Sequence, residues 1–218
     1  MNIIDTKASG IKFHNKNNLI KNIPLFDISP IKYKLEENNF THVIFQSVSS
    51  VECFKDYQIL NDKKVFSMGL STNKALGEKG IVSSCPEIPG SEGLKSIIND
   101  ESDDSKYLII KGRDGLNIIE DHLNLKNIFV EKIICYERKA FESYDDLKKN
   151  FLDVDAIIFP SVLAAKIYFN QLHDSNKKNL KFFGISERIN NFIKALGHNP
   201  ILINYFSENL ELDIKEFI

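Results

Sequence analysis

The sequence contains one local plan twice, and this repetition constrains its fold more than any other feature. In the first copy, FTHVIFQSVSSVECF (Phe40–Phe54) is followed by KVFSMGLSTNKALGEKG (Lys64–Gly80). In the second, VDAIIFPSVLAAKIYF (Val154–Phe169) is followed by KFFGISERINNFIKALG (Lys181–Gly197). Each segment has the pattern of a buried strand, a small hydroxyl residue near the strand end and a helix behind it. The chain therefore repeats a β-α-β-α plan.

The hydroxyl residues of the two copies are equally spaced. Ser47 and Thr72 are 25 residues apart, and so are Ser161 and Ser186. Elsewhere, short apolar runs rich in Ile, Val and Phe alternate with longer amphipathic stretches, which is typical of β-α units in a mostly parallel sheet. We therefore predict an α/β fold in which two domains share one architecture.

Hydrophobic periodicity gives the expected elements of this fold. The predicted strands are Asn2–Asp5, Ile23–Ile28, His42–Gln46, Lys64–Met68, Gly80–Val82, Tyr107–Lys111, Asn127–Cys135, Ala156–Phe159, Lys181–Phe183 and Ile201–Asn204. The predicted helices are Val48–Leu60, Thr72–Lys79, Ser91–Ile98, Leu116–Leu123, Tyr144–Asn150, Val162–Leu172, Glu187–Leu196 and Glu208–Phe217.

Two segments have the character of connections between the domains. Pro24–Tyr33 (PLFDISPIKY) carries two prolines, each of which disfavours helix in the residue before it, and Val130–Ala140 (VEKIICYERKA) is a β-rich run that ends in charges. If both cross the same gap, one domain is discontinuous, and Met1–Ile20 supplies its opening strand. We predict an inserted domain over residues 32–134, a discontinuous domain over 1–26 and 138–218, and connections at about 27–31 and 135–137.

The hydroxyl residues at the four strand ends are candidates for binding an anion. Ser and Thr are good N-caps, and the first N–H groups of a helix are unsatisfied and carry about half a positive charge. Ligands of open parallel sheets bind at the carboxyl ends of the strands, so we expect the four positions to face one cleft. Plain helix capping is the alternative for each. The four residues are Ser47, Thr72, Ser161 and Ser186.

A glycine-containing turn lies within LIIKGRDGLNIIEDHL (Leu108–Leu123). Gly112 and Gly115 leave the backbone free to approach a ligand, while Lys111 and Arg113 add positive charge. The turn lacks both the GKS or GKT of a P-loop and the GxGxxG of a dinucleotide site, which disfavours a nucleotide. Two interpretations stay open here: a contact with a carboxylate, and an ordinary β-α turn with solvated charges.

Charge and composition exclude several classes of protein. The 28 basic and 30 acidic residues form no long block of one sign, as a nucleic-acid binder would require. The first residues lack a signal-peptide pattern, and no apolar run approaches the roughly 20 residues of a membrane span. Three cysteines without a CxxC pair and five scattered histidines indicate neither a disulfide framework nor a metal site. We expect a cytoplasmic protein that binds no metal, nucleic acid or membrane.

Seven short motifs occur in an order that resembles one enzyme family. They are IFQS, MGLST, PGSEGL, IIKGRDG, CYERKA, IIFPS and GISER. The ordered set is similar to that of the uroporphyrinogen-III synthases, and the resemblance covers Phe40 to about Phe217. It implies two similar flavodoxin-like domains, each a doubly wound parallel sheet, joined by a two-stranded connection.

Three positions depart from the family's pattern. The first strand usually ends in Thr-Arg-Pro, whereas residues 5–7 are Asp-Thr-Lys. The glycine turn commonly continues Gly-Gly-Arg, whereas residues 114–116 are Asp-Gly-Leu. A Thr that often follows Gly-Pro is here Ser186, in the context Gly-Ile-Ser. No arginine contact therefore carries over to residues 5–7, and Arg113 is left as the candidate in the glycine turn.

The resemblance implies that hydroxymethylbilane is cyclised to uroporphyrinogen III, with loss of water, inversion of ring D and no cofactor. It also implies that Tyr136, in CYERKA, donates a proton to the departing hydroxyl, since a phenol is protonated at neutral pH. The alternative for Tyr136 is a tyrosine on an interdomain strand with a hydrated hydroxyl. The implied substrate-binding residues are Ser47, Thr72, Gly112, Arg113, Ser161 and Ser186.

The expected partner is a linear tetrapyrrole substrate, handed over transiently from hydroxymethylbilane synthase to a monomeric enzyme. Two other functions stay open. A non-enzymatic cytosolic two-lobe small-molecule binding module would also have paired α/β lobes. A nucleotide-dependent transferase of doubly wound fold would need a phosphate-binding glycine signature, which the sequence lacks.

Overall fold

The chain forms two compact units, each built around one five-stranded sheet. A computed structural model describes residues 1–8, 19–35, 39–102, 104–175, 179–205, 207 and 209–218. Unit one consists of Met1–Asp27 with Lys139–Ile218, and unit two of Ile28–Arg138. The strands are β1 (Ile3–Asp5), β2 (Ile20–Asn22), β3 (Phe26–Pro30), β4 (His42–Phe45), β5 (Lys64–Ser67), β6 (Tyr107–Gly112), β7 (Val130–Ala140), β8 (Ala156–Phe159), β9 (Lys181–Gly184) and β10 (Ile201–Leu202).

Helices connect these strands. They are α1 (Val48–Cys53), α2 (Leu70–Gly77), α3 (Ser91–Ile98), α4 (Ile118–Leu125), α5 (Asp145–Lys148), α6 (Val162–Gln171), α7 (Glu187–Ala195) and α8 (Leu210–Lys215), with 3-10 turns at Tyr57–Leu60 and Lys149–Phe151. Four strands carry a helix directly behind them, at the places where the sequence repeats: α1 follows β4, α2 follows β5, α6 follows β8 and α7 follows β9.

The sheet of unit one has the strand order β10-β9-β8-β1-β2. Each neighbouring pair is parallel. Counted within the unit, this order is 2-1-3-4-5, the flavodoxin-like arrangement. The central strand β1 pairs with β2 on one side and with β8 on the other, so the N-terminal residues lie in the middle of a sheet that the C-terminal part completes.

The sheet of unit two has the strand order β3-β7-β6-β4-β5. The pairs β4–β5, β4–β6 and β6–β7 are parallel. Counted from β4, the order is again 2-1-3-4, and β3 takes the fifth place. The chain crosses between the units within β3 and within β7, which are neighbouring strands. The predicted fold class, two α/β units with a two-stranded connection, is confirmed.

The sheet of unit two is covered on both faces. Leu108 and Ile110 of β6 pack in one hydrophobic cluster with Val51 and Leu76, from α1 and α2. The alternate residues Tyr107 and Ile109 pack in a second cluster, which α3 and α4 complete. Successive residues of a strand point to opposite faces, so a parallel strand buried on both sides is apolar throughout. This explains the continuous apolar runs that predicted the strands.

One predicted strand, Gly80–Val82, is wrong. Helix α2 ends at Gly77, and the following turn closes through hydrogen bonds from Gly80 N to Gly77 O and from Ile81 N to Leu76 O. Gly80 has φ 76°, a left-handed conformation that glycine adopts without strain. The apolar residues after Gly80 therefore belong to a helix exit, and only Ser84 forms an isolated bridge, with Phe66.

The predicted helix Val48–Leu60 is also interrupted. Helix α1 ends at Cys53, where Phe54 takes an extended conformation, and the chain then forms the 3-10 turn Tyr57–Leu60. Lys55 N donates to Tyr33 Oη at 2.8 Å, so a distant hydroxyl accepts the hydrogen bond instead of the helix. The separate strand β2 was not predicted. Glu208, the first residue of the last predicted helix, lies outside the described residues.

Candidate functional site

In both sheets the strand order reverses direction beside the first strand of the doubly wound pattern. Such switch points open a crevice at the carboxyl ends of two neighbouring strands, where ligands of these folds bind. In unit two the switch point lies between β4 and β6, and in unit one between β1 and β8. Ser47 and the glycine turn follow the two strands of unit two, and Ser161 follows β8 of unit one.

Ser47 has the predicted place at the start of helix α1. Its backbone is extended, and its Oγ accepts a hydrogen bond from Ser50 N at 3.1 Å. Ser50 Oγ in turn accepts from Ser47 N at 3.1 Å, which completes a reciprocal capping box. Ser47 Oγ also lies 2.9 Å from Tyr136 Oη. The cap therefore holds the Ser47 hydroxyl beside the phenol.

Tyr136 lies in β7, and only 3% of its surface is exposed. The pairing of β6 with β7 shifts at the end of β6, so that Gly112 lies opposite Tyr136 and Arg113 N donates to Tyr136 O at 2.9 Å. A Cβ atom at Gly112 would lie 2.5 Å from Tyr136 Cζ and 2.9 Å from its Oη. Only glycine therefore allows β6 to approach the tyrosine ring this closely. Ser47, Gly112 and Tyr136 form one cluster, which we call the tyrosine cluster.

Arg113 follows Gly112 and is held at the surface. Its Nε lies 3.0 Å from Glu137 Oε2, and the two side chains are 59% and 40% exposed. An ion pair in this setting contributes little to stability, because water screens it. The guanidinium is therefore accessible to a competing carboxylate, and Glu137 is a partner that the sequence did not predict.

Thr72 is not the N-cap of its helix, as the sequence analysis expected. Helix α2 begins at Leu70 with Gly69 as N-cap, and Thr72 N donates to Gly69 O at 3.0 Å. Thr72 is therefore already within the first turn, where it is buried. The N-cap of α2 is therefore a glycine, which has no side chain to accept a capping hydrogen bond.

Ser161 and Ser186 are N-caps, of helices α6 and α7, and both have extended backbones. Ser161 Oγ accepts a hydrogen bond from Ala164 N at 3.1 Å. Ser186 makes no capping hydrogen bond through its side chain to the described residues of α7. The two hydroxyls therefore differ: one is used by its helix, and the other is not. The expectation that all four predicted strand ends line one cleft stays a prediction.

A buried acid at the end of β1 was missed by the sequence analysis. Asp5 is fully buried, and its carboxylate accepts hydrogen bonds from Tyr205 Oη at 2.7 Å and from Lys7 N at 3.0 Å. Burial raises the pKa of Asp5 to about 6, against the lowering effect of these donors and of the Lys7 charge. Thr6 is also buried, and its hydroxyl donates to Ile158 O at 2.8 Å. The sequence signal for this buried acid is an aspartate at the end of the otherwise apolar strand Ile3–Asp5.

This acid predicts a pH dependence of stability. The folded pKa of Asp5, about 6, lies above its ordinary value of 3.8. The folded state therefore holds this proton more tightly, and the stabilisation present below pH 3.8 is lost as the pH rises through about 6. In Asp5→Asn the amide can serve both partners, with Oδ1 accepting from Lys7 N and Nδ2 donating to Tyr205 Oη. We expect this variant to gain on the order of 2 kcal/mol relative to wild type between pH 4 and pH 7.

Urea unfolding of both proteins at several pH values measures this difference. In Tyr205→Phe the loss of a donor to the carboxylate moves the same change to higher pH, because that donor lowers the pKa of Asp5. A stability difference between Asp5→Asn and wild type that stays constant from pH 4 to pH 7 would contradict the assignment.

Metal-binding and membrane-spanning features are not found in the described part of the chain. Within those ranges no group of three or more His, Cys, Asp or Glu residues is arranged to hold a metal ion. No helix there has the length and apolar character that a bilayer span requires. Cys53, Cys85 and Cys135 are free thiols, and burial raises the pKa of Cys135 to about 12. His14 lies outside the described residues.

Comparison with known proteins gives one sequence family and several related structures. The family described as "Uroporphyrinogen-III synthase HemD" matches residues 20–205. The uroporphyrinogen-III synthetase of Helicobacter pylori 26695 is similar with a TM-score of 0.73 at 15% identity, over 99% of this chain and 98% of that one. A mutant uroporphyrinogen III synthase of the extremely thermophilic bacterium Thermus thermophilus gives 0.60 at 13% identity, over 99% and 96%. No curated protein sequence matches the chain.

Proposed function

The chain belongs to the uroporphyrinogen-III synthase family, and we propose that its tyrosine cluster carries the catalytic step. The enzyme is a cyclising hydro-lyase of tetrapyrrole and haem biosynthesis, which closes hydroxymethylbilane to uroporphyrinogen III with loss of water and inversion of ring D. In this proposal Tyr136 is the proton donor, Ser47 is its partner, and the strand ends bind the carboxylates of the substrate.

The observation that carries the proposal is the 2.9 Å contact between Ser47 Oγ and Tyr136 Oη. Tyr136 gives its proton to the departing hydroxyl, the bond between that oxygen and the methylene carbon breaks, and water leaves. The phenolate that forms can accept a hydrogen bond from the Ser47 hydroxyl. A hydrogen bond to a charged oxygen is stronger than one to a neutral oxygen, so this bond strengthens as the transition state forms.

Orientation of the bilane is the other part of catalysis. A free bilane also closes without inversion, so the enzyme must hold its ends in the geometry that favours attack at the substituted carbon. Fixing two reacting ends in this way can contribute several kcal/mol, about 7–11 in the best cases. The acetate and propionate arms of the substrate offer many carboxylates for such fixing.

We assign the carboxylate contacts to strand ends and to the glycine turn. Helix N-termini suit carboxylates without many Lys or Arg side chains, which supports Ser161 and Ser186 and the amides beside them. At α2 the contact predicted for Thr72 is made by the amides ahead of it, since the Thr72 side chain is buried. Gly112 and Arg113 complete the set, and a substrate carboxylate displaces Glu137 from the exposed guanidinium.

The two serines of unit one allow capping and substrate binding to be separated. Ser161→Ala removes a capping acceptor, and we expect it to destabilise the protein by about 1 kcal/mol. Ser186→Ala removes a hydroxyl that does not cap its helix, so stability should change by less than about 0.5 kcal/mol. Both variants should raise KM about 3- to 10-fold, the effect of one lost hydrogen bond.

Urea unfolding and steady-state kinetics of the two variants, side by side, measure these effects. An unchanged KM in Ser186→Ala would remove Ser186 from the substrate site. An unchanged KM in Ser161→Ala as well would leave helix capping as the role of the Ser161 hydroxyl.

The proposed function is tested by the isomer that the protein makes. The purified chain is incubated with freshly made hydroxymethylbilane, and the products are oxidised and separated by chromatography. We expect the type III isomer in excess over the type I isomer, which forms in the buffer control. Binding of the bilane with type I product only would favour the alternative of a small-molecule binding module.

We further propose that the enzyme is a cytoplasmic monomer that receives its substrate by transient hand-over from hydroxymethylbilane synthase. The readiness of the free bilane to close without inversion supports a hand-over, because a short free lifetime limits that loss. Sedimentation of the protein with and without the synthase tests the monomeric state and the hand-over.

The predicted connections between the domains, at about 27–31 and 135–137, are proposed as the hinges that let the domains move during the cycle.

A further inference from the structure

Lys111 is a buried lysine that the proposed mechanism does not use. It lies at the carboxyl end of β6, and only 2% of its surface is exposed. A buried ammonium group is costly unless hydrogen bonds satisfy it. Its Nζ donates to Asn117 Oδ1 at 2.6 Å and to Leu116 O at 3.0 Å. The lysine is thus bonded to residues that follow it closely in the chain.

These two acceptors belong to the turn that joins β6 to α4. The turn runs through residues 112–117, and we call it the glycine turn of β6. It closes with a hydrogen bond from Gly115 N to Gly112 O at 2.9 Å. A Cβ atom at Gly115 would lie 2.9 Å from Lys111 Cε, so the turn packs directly on the lysine stem. Lys111 therefore fixes the turn to β6 in two ways: by hydrogen bonds to Leu116 and Asn117, and by packing of its stem against Gly115.

A second side chain supports the same turn from the neighbouring strand. Gln46, the residue that follows β4, donates through Nε2 to Leu116 O at 3.4 Å. Charged groups of α4 and β7 also act on the lysine: burial lowers the pKa of Lys111, and so does the Lys132 charge, while Glu120 and Asp121 raise it. Both side-chain contacts of the lysine with the turn, at 2.6 and 3.0 Å, are shorter than the 3.4 Å contact of Gln46.

The glycine turn begins at the residue that touches the catalytic tyrosine. Gly112 lies against the Tyr136 ring, and Arg113 N donates to Tyr136 O. A shift of the turn therefore changes the room around the ring, and with it the contact between Tyr136 and Ser47. Lys111 is itself part of β6, and its carbonyl oxygen lies 3.7 Å from Cys135 Sγ in the neighbouring strand β7.

We propose that Lys111 is a positioning residue for the reaction: its ammonium holds the glycine turn so that Gly112 keeps Tyr136 at hydrogen-bonding distance from Ser47. This inference rests on the proposed role of Tyr136. It assigns no contact with the substrate to Lys111. The lysine acts through the turn and the tyrosine ring alone.

The test variant is Lys111→Met, which removes the N–H donors of the ammonium and keeps an unbranched apolar side chain. We expect kcat to fall about 10-fold with a smaller rise of KM, about two- to threefold, because the tyrosine is displaced while only the carboxylate contacts within the glycine turn are weakened. Amide exchange at Arg113 and Gly115 should become faster in this variant, while exchange in α6 stays as in wild type. Lys132→Met is the matched control: Lys132 is an exposed lysine of the same sheet that pairs with Glu120, and we expect its kcat to stay unchanged.

A second variant covers the case in which Lys111→Met fails to fold. Asn117→Ala removes one acceptor of the ammonium at an exposed residue whose side chain does not cap the described part of α4. We expect a smaller loss of kcat, about 3-fold, with the same faster exchange at Gly115. Wild-type kcat in a folded Lys111→Met, or in Asn117→Ala when the first variant does not fold, overturns the proposal.

A double-mutant cycle separates this proposal from the role of Tyr136. If Lys111 acts through the tyrosine, Lys111→Met slows Tyr136→Phe by less than twofold. Multiplied effects of the two changes overturn the positioning role while the proton-donor role stands. A Tyr136→Phe variant with wild-type kcat overturns the proton-donor role of Tyr136. The positioning role of Lys111 then falls as well, because it depends on that tyrosine.

Discussion

Tyr136→Phe is expected to lower kcat about 10- to 100-fold, at or below the low end of the roughly 10²–10⁴-fold that a positioned general acid contributes. The phenol is the proposed donor to the departing hydroxyl, and phenylalanine keeps the ring that packs against Gly112 while it removes the proton. Because the ring stays, we expect the thermal unfolding midpoint to stay within a few degrees of wild type. Steady-state kinetics with freshly made bilane, read as the rate of type III formation, measure the effect.

Tyr144→Phe is a matched control for this change. Tyr144 is a buried tyrosine of unit one whose hydroxyl donates to Leu25 O at 2.9 Å. Removing that hydroxyl should destabilise the protein by about 1–3 kcal/mol and leave kcat unchanged. If Tyr136→Phe turned over as fast as wild type, Tyr136 would have no part in the mechanism, although the family assignment would stand.

Gly112→Ala is expected to lower kcat about 100-fold, because a displacement of about 1 Å in a catalytic group can cost this much. The added Cβ would lie 2.5 Å from Tyr136 Cζ and 2.9 Å from Oη, so the ring must move away. This movement separates Oη from Ser47 Oγ. Overpacking of this kind also destabilises a protein by about 1–3 kcal/mol. Kinetics and urea unfolding on the same preparation separate the two effects.

Gly77→Ala controls for the exchange of glycine for alanine in the same unit. Gly77 is the last residue of α2, and a Cβ atom built there has no described atom within 4 Å apart from its chain neighbours and the backbone of its own helix. We expect normal kcat and a small gain in stability, up to about 1 kcal/mol. A normal kcat in Gly112→Ala as well would show that the tyrosine ring tolerates displacement, and would contradict the arrangement proposed for the tyrosine cluster.

Much of the fold could be predicted because its signal is local. The strands β4, β5, β8 and β9 are buried on both faces, so they appear as short apolar runs, and the helices behind them repeat the same spacing. The prediction failed where chain geometry depends on distant groups. The Tyr33 hydroxyl accepts a hydrogen bond just after α1, and a left-handed glycine at Gly80 turns an expected strand into a helix exit.

In the candidate site, too, the features with a local sequence signal could be predicted. Ser47, Ser161 and Ser186 stand at the predicted helix starts, because Ser before a helix is a local signal. Thr72 does not stand at a helix start. Its spacing in the repeat matches that of Ser186, but Gly69 is the N-cap of α2, so the helix begins before Thr72.

Three other features of the site depend on residues far apart in sequence or on packing that no motif encodes. The hydrogen bond between Asp5 and Tyr205 joins residues 200 positions apart. The contact of Ser47 with Tyr136 and the burial of Lys111 arise only when strands of one sheet come together. The motifs indicate the family, whereas these contacts exist only in the folded structure.

The interrupted layout of unit one has a consequence for the newly made chain on the ribosome. Strand β1 pairs with β8, and Asn2 N donates to Asp155 Oδ2 across 153 positions. Pairings of this range form slowly, and domains tend to fold as units while synthesis proceeds. The nascent protein can therefore complete unit two, which is continuous in sequence, before β1 meets its partner. Until residues 139–218 have been made, the edge of β1 that pairs with β8 stays open, and an open strand edge is where unwanted association between chains begins.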